Sequence, residues 1–169
     1  DAFRIANGTG LPMVQFLGYA PQIERSDTGF LLEPGGVTFD LVLDQAPSPD
    51  PQKPCFFLRV DDGGLGRCGI YPIRPGACRR FPAVRLGNGD GVGVRDGIVC
   101  PEGAWDGHPM DRLSWRTALE REQRDRELYA VVASEWNARV EAVGELGPRT
   151  FGAYLDHLSE TYAWISAMR

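Results

Sequence analysis

Residues 29–43 read GFLLEPGGVTFDLVL, and this stretch decides the β part of the fold. The run Gly29–Leu32 comes first, a Pro34-Gly35-Gly36 turn follows, and Val37–Leu43 alternates Val, Phe and Leu with other residues. Alternation on either side of a Gly and Pro turn is typical of antiparallel strands. The stretch therefore predicts a β-hairpin.

A second hairpin signal lies further along the chain, at Asn88-Gly89 and Asp90-Gly91. These dipeptides favour the tight turns that join two strands, and Ala83–Leu86 and Gly91–Arg95 flank them. Cys55–Val60 is a further candidate strand. We therefore expect the β structure to be small and antiparallel.

Helix signals occupy the first twenty positions of the chain. Gly8 and Gly10 separate two candidate pieces, Asp1–Asn7 and Pro12–Gly18, and Pro12 suits a first helical turn. We expect two short helices here.

Two apolar faces at helical spacing lie in the C-terminal part, residues 109–169. They consist of Leu128, Val131, Val132, Trp136 and Val140, and of Phe151, Tyr154, Leu155, Leu158, Tyr162 and Ile165. His157 falls outside the second face, so we expect it to face solvent. The chain is predicted to have an α+β fold: short N-terminal helices, a small antiparallel β and loop region, and a C-terminal helical pair.

Length and composition favour one globular domain that covers residues 1–169. Of the 169 residues, 43% are hydrophobic. A chain of this length and composition can bury a core that is stable without disulfides or a structural metal. It carries 18 Lys and Arg residues against 23 Asp and Glu residues, a net charge of −5. This balance argues against a dedicated nucleic-acid binder, which is normally basic.

Hydropathy and the start of the sequence bear on location. No apolar run approaches the length of a spanning helix, and the N-terminus lacks the basic and apolar regions of a signal peptide. We expect a cytoplasmic protein with no membrane partner. Residue 1 is Asp rather than Met, so we also expect the chain to be a trimmed form of a longer product.

The four cysteines, Cys55, Cys68, Cys78 and Cys100, all lie in a cysteine core that covers residues 55–100. Three of them stand beside Gly or Pro, and such turns let several thiolates converge. Four thiolates satisfy a zinc ion or an iron–sulfur cluster. The spacings include no paired C-x2-C knuckle, so a metal site, disulfides and unlinked core thiols all stay open at this point.

Positive charge accompanies the cysteines. Five arginines, with no acidic residue among them, lie between positions 67 and 85: Arg67, Arg74, Arg79, Arg80 and Arg85. A zinc ion or a four-iron cluster bound by four thiolates is anionic, and adjacent guanidinium groups would stabilise it. The alternative is a basic surface strip that binds phosphate or nothing.

Three segments of the cysteine core resemble one known motif. They are Cys55–Leu58, Gly66–Tyr71 and Arg74–Pro82. Together they are similar to the C-x-F-L, G-x-C-x-I-Y and R-P-x-x-C-R-x-F-P core of the YkgJ-type cysteine-cluster family, a zinc- or iron-chelating domain that includes the flagellin lysine methylases. The match is close over residues 55–82, and Cys100-Pro101 also fits it.

The resemblance implies a role for each part of the motif. The implied metal ligands are Cys55, Cys68, Cys78 and Cys100, holding an iron–sulfur cluster of the four-iron type or zinc. Arg74 and Arg79 would supply charge and hydrogen bonds to that centre. Pro75 would start a short helical turn that places Cys78 near its amides. The aromatic residues expected to exclude water are Phe56, Phe57, Tyr71 and Phe81.

One departure from the family is that this chain has no cysteine before Cys55, where the family usually has a closely spaced group. We expect that group to lie upstream of Asp1 in the longer product; the alternative is that the four cysteines present make a complete site or that the site has decayed. The predicted function is metal binding with a structural or redox role. The alternatives are a flagellin lysine methylase-like enzyme that uses the cluster and a disulfide-bonded binding module. The expected partners are the metal ion or cluster and a protein partner or substrate.

Overall fold

Two compact units make up the chain, as seen in a computed structural model. Unit 1 comprises Asp1–Arg74 and Arg126–Arg169, and unit 2 comprises Pro75–Asp125. The residues that the structure describes are 1–45, 54–87, 91–94, 112–142 and 149–168. They form helices and small antiparallel sheets, which confirms the predicted α+β fold.

Unit 1 contains a three-stranded antiparallel sheet. Its strands are β1 (Leu17–Pro21), β2 (Phe30–Leu31) and β3 (Thr38–Leu43), in the order β1-β3-β2. The predicted hairpin is confirmed by the pairing of β2 with β3. Gly35 in its turn has a φ of 63°, a left-handed conformation that glycine adopts without steric cost.

Helices α1 (Ala2–Thr9) and α4 (Phe151–Ala167) also belong to unit 1. A third helix, α3 (Arg112–Glu141), contributes its residues from Arg126 onward. The Thr150 hydroxyl caps α4, because it accepts a hydrogen bond from the Ala153 amide at 3.2 Å. The predicted C-terminal helical pair is confirmed.

The prediction of a second N-terminal helix at Pro12–Gly18 is wrong. Only Met13–Gln15 form a short 3-10 turn, and β1 begins at Leu17. Leu17 lies opposite Leu43 of β3. A helix this short is marginal in water, whereas pairing with β3 satisfies the backbone groups of the segment.

The core of unit 1 combines side chains from the sheet and the helices. Its largest fully buried members are Tyr154, Phe16, Phe30, Ile5, Leu31, Leu158, Val132 and Val140. The Tyr154 ring stacks on the Phe30 ring with centroids 4.0 Å apart. The Tyr154 hydroxyl donates to the Tyr129 hydroxyl at 2.8 Å. Burial raises the pKa of Tyr129 to about 12 and raises the pKa of Tyr154 strongly.

Side chains of α3 close the outer edge of β2. The Asn137 carbonyl oxygen accepts from the Leu31 amide at 2.8 Å, and the Asn137 amide donates to the Gly29 carbonyl at 2.8 Å. The Trp136 indole donates to the Leu31 carbonyl at 2.7 Å. The helix therefore supplies the hydrogen bonds that a further strand would make.

His157 is buried, with 5% of its surface exposed, so the expectation that it faces solvent is wrong. Its Nε2 lies 3.3 Å from the Val132 carbonyl oxygen and therefore donates. Its Nδ1 lies 3.2 Å from Nη1 of Arg139 and therefore accepts. Polar partners on α3 make this position compatible with burial, which an apolar pattern cannot reveal.

Unit 2 contains α2 (Gly76–Arg80), β6 (Ala83–Leu86) and β7 (Gly91–Val94), as well as residues 112–125 of α3. Strands β6 and β7 pair in antiparallel fashion, which confirms the second predicted hairpin. Arg80 forms an ion pair with Glu122.

Candidate metal centre

Cys55 and Cys68 lie at the same end of an antiparallel hairpin in unit 1. Its strands are β4 (Leu58–Val60) and β5 (Gly66–Cys68), and Leu58 lies opposite Cys68. The Leu58 amide donates to the Cys55 carbonyl at 2.9 Å, so Cys55 opens a tight turn that ends at Leu58. The strand expected at Cys55–Val60 is therefore correct only from Leu58 onward. Turn and register together bring the two cysteines to the base of the hairpin.

Two buried side chains anchor this base in the core. Phe57 follows Cys55 by two positions, Ile70 follows Cys68 by two, and both are buried. The Phe57 ring packs against Phe16 with centroids 5.5 Å apart. The cysteines thus extend from backbone that the core holds in place, which favours a defined ligand geometry.

All three cysteines in the described residues have exposed side chains: Cys55, Cys68 and Cys78. Cysteine is among the residue types most often buried, and a cysteine that only packs lies in apolar surroundings. The alternative of unlinked core thiols is therefore wrong for these three positions. Cys55 and Cys68 are free thiols, so they form no disulfide with each other.

Cys78 lies in the middle of α2, in unit 2. The Arg79 amide donates to the Pro75 carbonyl at 2.9 Å, so the short helical turn begins after Pro75, as predicted. Arg79 follows Cys78 and is half-buried. Cys100, the fourth predicted ligand, lies outside the described residues.

Arg74 lies against Tyr71. Its guanidinium carbon is 4.1 Å from the centroid of the Tyr71 ring, a cation–π contact. The Arg74 carbonyl accepts a hydrogen bond from Arg4 at 3.0 Å, which ties the segment after Cys68 to α1. The roles of Arg74 and Arg79 beside a metal centre stay predictions.

The aromatic residues of the motif differ in exposure. Phe57 is buried and Phe56 is half-buried, whereas Tyr71 and Phe81 are 62% and 49% exposed. Of the four residues expected to exclude water, Phe57 is shielded from solvent and Phe56 is partly shielded.

Arg59, on β4, was not identified from the sequence as a site residue. Its Nη1 donates to the Phe56 carbonyl at 3.3 Å and to the Leu58 carbonyl at 3.2 Å. Both carbonyls belong to the turn that Cys55 opens. No sequence signal marked Arg59, because its partners are backbone carbonyls, which every residue carries.

Within the described part of the chain, no group of three or more His, Cys, Asp or Glu side chains is arranged to hold a metal ion. Cys55 and Cys68 lie at the same end of the β4–β5 hairpin. A scan against protein-family models, a search of curated proteins and a search of solved structures each gave no match. Membership of the YkgJ-type family stays a prediction that rests on the motif residues.

Proposed function

We propose that this chain is a metal-binding protein that holds zinc or an iron–sulfur cluster through cysteine thiolates, in a structural or redox role. The observation that carries the proposal is the exposure of all three described cysteines. An exposed thiol contributes little hydrophobic burial, so packing does not account for these residues. Binding through sulfur does, because thiolates are the preferred ligands of zinc and of iron–sulfur clusters.

The arrangement in unit 1 supports the proposal for Cys55 and Cys68. They share one end of a hairpin whose base is anchored by Phe57 and Ile70. Arg59 bonds to the turn that Cys55 opens, and a cation near a metal centre favours bound thiolates. Zinc would cross-link the backbone segments that hold its ligands, whereas a cluster would also accept and release an electron.

Cys78 and Cys100 complete the predicted ligand set. Exposure supports this role for Cys78. For Cys100 it rests on the sequence motif. The experiment below therefore treats each cysteine separately.

A cytoplasmic location belongs to the proposal. No described helix combines the length and apolar character that crossing a membrane requires. Exposed, unlinked thiols such as Cys55 and Cys68 persist in a reducing compartment, which the cytoplasm provides.

The test is to purify the protein without oxygen and count iron, zinc and acid-labile sulfide per chain. Iron with matching sulfide and a visible charge-transfer band identifies a cluster. Zinc without colour identifies a zinc site. A metal-free protein that takes up neither zinc nor a reconstituted cluster overturns the proposal.

Ligand identity is tested by replacing each cysteine in turn with serine. We expect every ligand variant to lose metal relative to the unaltered chain. Val60→Ser is the matched control, since Val60 is exposed on β4 of the same hairpin and offers no thiol. Full metal content in all four cysteine variants contradicts the proposal.

A further inference from the structure

Arg59 contacts the backbone of the turn that holds Cys55. One nitrogen, Nη1, donates to the carbonyls of Phe56 and Leu58. The turn itself is closed by the hydrogen bond from the Leu58 amide to the Cys55 carbonyl. The guanidinium therefore holds the turn in the conformation that starts at Cys55.

The Arg59 side chain also lies against the residue after Cys68. A Cβ atom at Gly69 would come within 3.2 Å of the Arg59 Cγ and 3.2 Å of the Phe57 carbonyl oxygen. The Gly69 amide donates to that carbonyl at 2.8 Å. The absence of a side chain at Gly69 thus lets Arg59 and the turn approach the strand that ends in Cys68.

We infer that Arg59 is a positioning residue for Cys55 and Cys68, holding both cysteines ready for metal before it binds. This inference rests on the proposed metal-binding function. Groups that orient metal ligands without touching the metal commonly change metal affinity when they are removed. Arg59 has the required contacts, since it bonds to the turn that Cys55 opens and packs beside Gly69, the residue that follows Cys68.

Arg67 is the natural control for charge. It lies opposite Arg59 in the hairpin register, and its Nε lies 3.5 Å from the carboxylate of Asp61 in the loop at the far end. The two arginines therefore place the same charge on facing strand positions with different partners. Loss of positive charge is common to both alanine variants, whereas loss of the contacts to the turn and to Gly69 is specific to Arg59.

The experiment measures zinc affinity by competition with a chelator for the full chain and for Arg59→Ala, Arg59→Lys and Arg67→Ala. We expect Arg59→Ala to weaken zinc binding about tenfold. Arg59→Lys keeps the charge without the planar guanidinium and recovers only part of the affinity. Arg67→Ala removes a positive charge but none of these contacts, so it should weaken zinc binding less than Arg59→Ala does.

A second measurement separates positioning from general destabilisation. Hydrogen exchange of the metal-free protein should accelerate at the Leu58 and Gly69 amides in Arg59→Ala, while the urea midpoint of the whole chain stays unchanged. Gly69→Ala, which crowds Arg59, should weaken zinc binding in the same direction, and the double variant should lose less than the two single losses combined.

The possible outcomes distinguish a failure of this inference from a failure of the proposed metal-binding function. If the unaltered chain binds neither zinc nor a cluster, the proposed function fails. If the unaltered chain binds zinc and Arg59→Ala binds it equally well, only the inference fails. The inference also fails if Arg67→Ala loses as much affinity as Arg59→Ala.

Discussion

The core of unit 1 and the β4–β5 hairpin lie in the same compact unit but differ in how they are held. In the core, Tyr154, Phe30 and Val132 are buried, and the hydrogen bonds at the edge of β2 are supplied by α3. In the hairpin, every residue of both strands is exposed. The core can therefore be stable through packing alone, whereas an isolated two-stranded hairpin is marginal in water.

This difference shows where a bound metal would act on stability. A metal at Cys55 and Cys68 would stabilise the base of an exposed hairpin, and it would add little to a core that side chains already fill.

Truncating Tyr154 to alanine gives the largest expected effect. The ring is fully buried and stacked on Phe30, so its loss should cost about 3–5 kcal/mol of unfolding free energy. Urea unfolding measures the loss. Leu58→Ala is the matched control. Leu58 lies on the exposed strand β4, so its truncation should cost less than about 1 kcal/mol of unfolding free energy. Equal losses of unfolding free energy at Tyr154 and Leu58 would contradict the proposed difference between core and hairpin.

Alkaline pH should destabilise the core. The pKa of Tyr129 is about 12 in the folded chain against an ordinary 10.0, so the folded state keeps a proton that the unfolded state has lost. This contribution, about 3 kcal/mol, is complete below pH 10 and is lost as the pH rises through 12. Burial raises the pKa of Tyr154 as well, so it contributes in the same direction.

The measurement combines urea unfolding with tyrosinate absorbance over this pH range. Tyr129→Phe should reduce the loss of stability in alkali. A folded chain whose tyrosines all ionise near pH 10 would contradict the prediction.

Asn137→Ala tests the edge of the sheet. The substitution leaves the Leu31 amide and the Gly29 carbonyl without the side-chain partner, which should cost about 1–3 kcal/mol. Asn137→Asp keeps the acceptor for the Leu31 amide but places a carboxylate oxygen against the Gly29 carbonyl, so it should also destabilise the chain. Denaturant unfolding of both variants is the measurement, and an unchanged midpoint for Asn137→Ala would mean that water replaces the side chain.

Cys68→Ser gives the smallest expected effect on the metal-free chain, within about 0.5 kcal/mol, because its side chain is exposed. Zinc should slow hydrogen exchange at the base of the hairpin in the unaltered chain and not in the variant. Exchange of the core amides around Phe30 should stay the same with and without zinc. Slowed exchange throughout the core would place the metal's effect elsewhere.

Much of the fold followed from sequence pattern. The turn at Gly35 and the alternation after it predicted β2 and β3, and apolar spacing predicted the two C-terminal helices. These signals are local, so a few neighbouring residues are enough to read them. β1 was not predicted because its pairing with β3 depends on residues distant in sequence, as Leu17 and Leu43 are.

The candidate site was predictable in composition but not in arrangement. The motif singled out Cys55 and Cys68, whose positions on one hairpin depend on the register of Leu58 with Cys68. His157 was misplaced because its burial requires Arg139 and the Val132 carbonyl, partners that no helical pattern displays. Arg59 was not predicted either, because it bonds to backbone carbonyls, and these do not differ between residue types.

The closure of β2 by Asn137 and Trp136 bears on how copies of this chain meet. A strand with unpaired amides and carbonyls is a template on which a neighbouring chain can add its own strand, and repeated addition leads to aggregates. β2 has only two residues, and its outward groups bond to a helix of the same chain. Two side chains of α3 thus protect this side of the sheet from self-association. A substitution of Asn137 should therefore lower the solubility of the protein as well as its stability.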